Sequence, residues 1–326
     1  MTLKSVIAGA SFAAALAAAG AVASEAPSAP VNPLLAPWTG PFGGVPPFDR
    51  VQVADLQPAL ETAMASQLVE IDRIAADPAP ANFENTIAAM ERTGRELDRA
   101  QTIFGIYTST LNDDAVQKVE REMAPKLAAH RDRITQNEAL FKRIAAVYET
   151  REDSGLTPEQ QRLSWYYYTN FVRAGAKLDP EAKRQLSEIN VALAGLYTRF
   201  SQNVLADENN QQLVIENEAD LAGLPASVRS GAAQVAEARG QKGKWVIANT
   251  RSSIEPFLTY SERRDLREQA WRMFVDRGDN GGATDNNVVI TEILLLRAKR
   301  AKLLGYETHA HWRLENAMAK EPVRTN

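Results

Sequence analysis

The chain contains no cysteine. Disulfides, thiolate metal ligands and a cysteine nucleophile are therefore excluded. Histidine is almost as scarce, with three in 326 residues. No two of them stand four apart, the spacing that returns two imidazoles to one face of a helix. No His-Glu-x-x-His, no Gly-x-Ser-x-Gly elbow, no phosphate loop and no dinucleotide fingerprint occurs. Positive charge is not in excess: Lys plus Arg is 37, Asp plus Glu is 41, and the net charge is −4. A chain so balanced has no electrostatic reason to bind nucleic acid. No internal repeat of fixed period is found. What is present is apolar mass. Hydrophobic residues make up 44% of the chain, ample for one large core or two ordinary ones.

Residues 1–23 read as a signal peptide. Lys4 gives a short positive start, and an alanine-rich apolar run from Val6 to Val22 follows. Ala21-Val22-Ala23 then fits the small-x-small rule, placing cleavage before Ser24. The alternative, a membrane anchor, asks a short and weakly hydrophobic run to span ~30 Å of hydrocarbon. Cleavage takes away the single charge of Lys4 and changes −4 to −5. Export without cysteine points to a periplasmic or secreted protein held together by packing alone, with no membrane contact once the leader is gone.

Residues 24–48 are rich in proline, alanine and glycine, with five prolines between Pro33 and Pro47. A helix is ruled out there. Leu34, Leu35, Trp38, Phe42 and Phe48 are too apolar to leave in water, so the later part should be an extended arm pinned to the body. Residues 49–210 read as helical. Asn82 or Asn85 can cap one long helix carrying Ile87, Met90, Gly94, Leu97, Phe104, Tyr107 and Leu111 as a single stripe. Thr157-Pro158-Glu159-Gln160 is a capping box with proline at the first helical position. Asp179-Pro180 repeats the start signal ahead of a second stripe, Leu186, Ile189, Leu193, Leu196, Tyr197, Phe200 and Val204. Such faces bury against one another in a layered antiparallel bundle.

Residues 211–260 break the pattern. Leu213-Val214-Ile215 and Trp245-Val246-Ile247 are short β-favouring runs around a helical excursion that starts at Leu224-Pro225. Phe257–Tyr260 is a candidate third strand. Residues 261–326 return to helix: Ser261 is read as an N-cap, a helix spans about 285–304 with Gly305 as its stop, and Thr308 caps a last helix ending near Lys320. The fold class is therefore mainly α, with long antiparallel helices and one small pair of short β-strands.

Few residues carry candidate chemistry. His130, in a charged stretch, reads as a solvated surface residue. His309 and His311 are two apart, roughly 200° around a helix, and lack third and fourth ligands, so a metal role is disfavoured. His311 and Glu315 stand four apart and should pair. Trp165-Tyr166-Tyr167-Tyr168 is either a sticky wall for peptide or inter-helix packing. Glu262–Glu268 reads as a salt-bridged face, while Arg251 and Arg263 are candidates for clamping a peptide carboxylate. Gly278-Asp279-Asn280-Gly281-Gly282 lacks both the lysine of a phosphate loop and the distal acid of a calcium loop, and turn geometry explains it. No catalytic, cofactor-binding or metal-ligating residue is assigned.

From Asn249 the chain reads NTRSSIEPFLTYSERRDLREQAWRMFVDRGDNGG, and near the end LLGYETHAHWRLENAMAKEP. These segments, with NPLLAPW and PPFD nearer the start, resemble the peptidyl-dipeptidase Dcp and oligopeptidase A branch of the thimet-oligopeptidase family. The resemblance runs from about Asn32 to Pro322. It implies an almost wholly helical, two-lobed zinc peptidase whose deep channel admits short unstructured peptides. In the family a zinc ion held by a His-Glu-x-x-His helix activates water, the motif glutamate is the base, and tyrosines steady the tetrahedral intermediate. None of those positions can be carried over, because they are expected beyond residue 326. The resemblance thus implies the N-terminal lobe and the first helices of the catalytic region, cut before the metal site. This piece is expected to bind no zinc and to be inactive alone. Its expected partners are short peptides and a missing C-terminal catalytic half. The alternative is a non-enzymatic helical module that holds peptides or pairs with a partner.

Overall fold

The computed structural model describes residues 32–325. The leader, its cleavage point and the first part of the proline-rich arm lie outside them. The arm that follows is tied down at its start. Asn32 donates from its side-chain amide to the Asp55 carbonyl (2.8 Å) and accepts from the Leu34 N–H (3.0 Å). Leu34 is buried, and Leu35 and Trp38 pack beside it. Phe42 departs from the expectation that the arm's aromatic residues are covered. It stands fully in solvent with φ 59°, and Phe48 is half-exposed. Phe42 lies in a tight turn closed by the Thr39–Val45 bridge. Gly44 closes that turn at φ 128°, where a Cβ would sit 2.7 Å from the Trp38 Cβ. Turn geometry wins over burial there.

Helix α1 (Val53–Ala75) starts where the Asp55 carboxylate accepts the Gln52 N–H at 2.8 Å. The expected single helix with the Ile87–Leu111 stripe is two pieces. Asn82 and Asn85 cap each other reciprocally (2.8 and 2.9 Å), starting a π-helical turn, Phe83–Ile87, that runs into α2 (Ala88–Glu91). Gly94 then adopts φ 74°, and α3 (Arg95–Thr110) starts afresh. The Gly94 N–H donates to Glu70 (2.7 Å), and a Cβ there would meet the Gln67 side chain at 2.2 Å. The break redirects the stripe. Ile87 and Met90 join the core around α5 (Glu138–Glu149) and α6 (Pro158–Arg173), whereas Leu97, Ile103 and Phe104 join that of α1 and α4 (Asp114–Thr135).

Side chains cap the next helices, at Thr157 and Asp179 as the sequence reads. Asp113, Asn137 and Asp179 each accept the N–H three residues on, at 2.8–3.0 Å. Thr157 and Gln160 form a reciprocal box. Helix α7 (Pro180–Asn210) has 31 residues, roughly 46 Å at 1.5 Å per residue. It lies along α4 on one side and α11 (Asn287–Leu303) on the other. Two polar joints fix α4 to α7. Gln202 accepts from Arg121 (2.6 Å) and donates to the Gln117 carbonyl (3.0 Å) and Glu120 (2.7 Å). Asp132 accepts from Ser187 (2.8 Å) and Asn190 (2.9 Å).

Strands β1 (Gln212–Ile215) and β2 (Trp245–Ala248) pair antiparallel, with Val214 opposite Val246. Helix α8 (Ala226–Ala238) lies between them in sequence and packs on β2. The candidate third strand is instead the end of helix α9 (Arg251–Tyr260). Ile254 and Phe257 are buried three residues apart with Leu258 beside them. That is helical spacing, which the four β-favouring residues read alone conceal. Ser261 is not an N-cap. Its N–H donates to the Phe257 carbonyl (3.0 Å), closing α9, and α10 (Arg264–Val275) begins after it. The last helix, α12, covers His309–Leu314 and does not reach Lys320. Ala317 turns back onto the Leu314 carbonyl, Lys320 has φ 62°, and Met318 is wholly exposed. With no body beneath them to bury their apolar groups, these residues gain nothing from continuing the helix. Among the described residues the architecture is mainly α with one two-stranded sheet.

Candidate functional site

Among the described residues, no three His, Cys, Asp or Glu side chains gather closely enough to hold a metal. The three histidines show why zinc does not fit here. His130, expected on the surface, is 8% exposed, and its Nε2 faces the Gln67 side chain at 2.7 Å. Burial, then Arg133 and Arg131, hold its pKa below the usual imidazole range. A charged stretch of α4 thus turns one face onto α1, a fact that flanking charges obscure. His311 has its Nδ1 2.8 Å from the Thr308 hydroxyl and its Nε2 3.6 Å from Glu307. The expected His311–Glu315 pair does not form, because Glu315 is taken by Arg173 and by the Tyr306 hydroxyl (2.7 Å). His309 tilts over Trp312, ring centroids 5.5 Å apart. Its pKa is pushed down to about 4, first by burial and then by Arg300, Arg297 and Arg313. Cationic surroundings of that kind repel a divalent ion.

The aromatic run on α6 divides by face. Tyr168 stacks on Tyr148 (4.0 Å) and Phe141 (5.8 Å), joining α5 to α6. The Tyr167 hydroxyl donates to Glu91 at 2.6 Å, and burial together with that carboxylate raises its pKa. Trp165 lies under the Arg162 guanidinium (3.8 Å), and Tyr166 is half-exposed. Inter-helix packing accounts for Tyr167 and Tyr168, whereas Trp165 is covered by Arg162 of its own helix and Tyr166, edge-on to Tyr167, is left half in solvent.

Neither proposed carboxylate clamp is free. Arg251 pairs with Glu255 (2.7 Å) on the surface of α9. Arg263 is shared between Asp265 (2.7 Å) and Asp220. The glycine-rich turn is closed by protein. Asp207, at the end of α7 and 4% exposed, accepts from the Gly278 N–H (2.7 Å), the Asn280 amide (2.6 Å) and the Thr284 hydroxyl (2.5 Å). Its oxygens already serve as the anchor of the turn.

Two features escaped the sequence reading. One is a node where Arg173, Glu315, Tyr306 and Trp312 meet. The Trp312 indole donates to the Arg173 carbonyl (3.1 Å), and Arg173 answers at the Trp312 carbonyl. Burial, then Glu315, push Tyr306 up to about 12. The other is an uncovered arc of α11. Val289 and Ile293 bury against Leu193 of α7, but Val288 (65%), Leu294 (55%) and Leu295 (59%) remain exposed, with Ile290 beside them. The signal was present, since NVVITEILLL is apolar on every side of a helix, a pattern belonging to a helix covered all round.

Among the described residues no helix is long and apolar enough to cross a membrane. Residues 257–326 match the profile of Peptidase family M3. Across 291 residues the chain is 32% identical to the dipeptidyl carboxypeptidase of Salmonella typhimurium, covering 89% of this chain and 43% of that one. The Escherichia coli protein of the same name is 32% identical over 292 residues, 90% of this chain and 43% of its own. Oligopeptidase A of Haemophilus influenzae is 31% identical over 295 residues, with 89% and 42% covered. The chain spans less than half the length of these curated relatives. By this similarity and by its helical architecture, the chain belongs to the thimet-oligopeptidase family of peptidases, peptidase family M3.

Proposed function

We propose that this chain supplies the non-metal-binding part of a zinc metallopeptidase that hydrolyses short peptides, of the peptidyl-dipeptidase type that releases C-terminal dipeptides. The observation that carries the reading is the match along nine-tenths of the chain to two dipeptidyl carboxypeptidases. Its own side chains do not fit zinc, so no hydrolytic step is assigned to them. What they supply is a wall: helices locked by polar joints, with one face of α11 left apolar. In this reading that face is covered by the catalytic segment bearing the metal ligands, and the chain alone is inactive. The leader reading adds export, supported by the small-x-small site ending at Ala23.

The uncovered arc also favours the second reading, a module that pairs with a partner without catalysis of its own. One experiment separates the two. The chain is recovered from the periplasm of an expressing bacterium, its first residue identified, and offered short N-blocked peptides with and without zinc. Ser24 at the start and no dipeptide release are expected. Adding a polypeptide that carries the metal-binding half of a dipeptidyl carboxypeptidase should then restore chelator-sensitive release. Release by the chain alone, abolished by a chelator, would refute the division of labour. Pairing without release would favour the second reading.

A further inference from the structure

Helices α4, α6, α7, α11 and α12 surround a cavity of about 260 Å³. Its apolar wall includes Leu186 and Leu193, both fully buried, with Ala194 and the ring of Trp312. Four charged residues line it: Arg131, Asp132, Arg173 and Arg300. Two of these are satisfied. Asp132 accepts from Ser187 and from Asn190 (2.9 and 3.2 Å), and Arg173 is held by Glu315 and the Trp312 carbonyl. Arg300 is different. Its guanidinium lies over the Trp312 ring at 4.6 Å, and its single hydrogen bond among the described residues reaches Asn190 Oδ1 at 3.2 Å. Its Nε is buried without an acceptor. It makes no ion pair among the described residues.

A half-buried guanidinium with an orphaned donor is costly unless an anion completes it. Desolvation depresses its pKa, and the neighbouring Arg297 and Arg313 add to that. Tyr197 and Asp132 offset part of that shift, but neither accepts a hydrogen bond from the guanidinium among the described residues. The cavity therefore joins an apolar wall to the Arg300 guanidinium, whose Nη2 makes no hydrogen bond among the described residues, and to Arg131, whose side chain makes none there either. That combination suits an anionic head on an apolar body. Inorganic phosphate would leave the wall in contact with a hydrated ion, and an uncharged body would leave the guanidinium as it was.

We propose that this cavity binds a small organic carboxylate, its head received by Arg300 and its apolar body lying against Leu186, Leu193, Ala194 and Trp312. The proposal does not rest on the peptidase reading. The test titrates the full chain by calorimetry with N-acetyl-leucine, with N-acetyl-leucinamide and with inorganic phosphate. The acid should bind saturably. The amide, equal in shape but uncharged, should bind at least about tenfold more weakly, the size of one charge-assisted hydrogen bond. Phosphate should bind no better than the amide. Arg300→Met should weaken the acid by about the same tenfold and leave the amide unchanged. Arg300→Lys, which keeps the charge and loses the fork, should weaken it by about threefold, and it serves if the methionine variant fails to fold. Acid and amide binding alike, phosphate binding as well as the acid, no saturable binding of the acid, or an Arg300→Lys chain that binds like the parent would each overturn the proposal.

Discussion

The uncovered arc of α11 has a measurable consequence. Val288, Leu294 and Leu295 are each more than half exposed. Full burial of such a side chain is worth roughly 1.5–3 kcal/mol. About half of that is still to be gained at each, or about 1 kcal/mol. Covering all three together should therefore contribute about 3 kcal/mol, near a hundredfold in an association constant. The perturbation is the triple variant Val288→Thr, Leu294→Glu, Leu295→Lys, which keeps residues compatible with a helix surface. Sedimentation velocity across a concentration series reads the effect. The parent chain should self-associate, because a patch of this kind finds another apolar surface when its own cover is missing. The triple variant should need roughly a hundredfold higher concentration to do the same. Its unfolding midpoint should hardly move, since substitutions at exposed sites stay within about 0.5 kcal/mol. Equal self-association of parent and variant would show that this arc is ordinary surface. So would a strictly monomeric parent.

Two other perturbations probe the scaffold. Asp207→Ala removes the acceptor of three donors, one of them the buried Gly278 N–H. That donor alone costs about 1–3 kcal/mol when orphaned, and the variant should lose about 3 kcal/mol in urea unfolding with earlier proteolysis in residues 276–287. A loss under about 0.5 kcal/mol would mean that water replaces the carboxylate. His309 gives a pH signature. Its folded pKa of about 4 lies below the unfolded 6.5. Its contribution is therefore complete above pH 6.5 and is lost as pH falls toward 4. Partial exposure and screening reduce the effect to about 1 kcal/mol. The stability difference between the parent and His309→Gln should shrink through that window, and a difference independent of pH would remove His309 from the account.

What the sequence showed was mostly local. The caps at Thr157 and Asp179 are decided within three residues, so their side-chain acceptors are readable in one dimension. The strand pair was legible because two β-favouring runs stand alone in helical text. The failures are tertiary. His130 is buried because α1 happens to lie across α4, and nothing within four residues of it says so. Glu315 leaves His311 because Arg173, 142 residues earlier, reaches it first. Phe257–Tyr260 reads as a strand until Ile254 is counted with it. The carboxylate cavity is assembled from five helices, and no spacing rule connects Asp132 or Arg173 with Arg300.

The segments that reveal the family are also the ones that fasten the end of α7. Asn249, which opens the first segment, is fully buried and donates to the carbonyls of Asp207 (3.5 Å) and Met273 (3.0 Å). The glycine-rich turn of the same segment closes on the Asp207 carboxylate. Four residues further, Asn286 donates to the Phe200 carbonyl (3.1 Å) and accepts from Asn203 (2.9 Å). The residues that follow β2 and α10 and precede α11 thus all meet about two turns of α7, Phe200 to Asp207, through polar groups. Such groups tolerate little change, because each substitution strands a donor or acceptor away from water. A constraint of that kind is enough by itself to keep a recognisable string of residues. The near end of the chain repeats the arrangement, with Trp312 and Arg173 exchanging hydrogen bonds across 139 residues. Recognition of the family therefore rests on residues that set where the long helices lie. The position of α11, and with it the direction of its uncovered face, follows from those same joints.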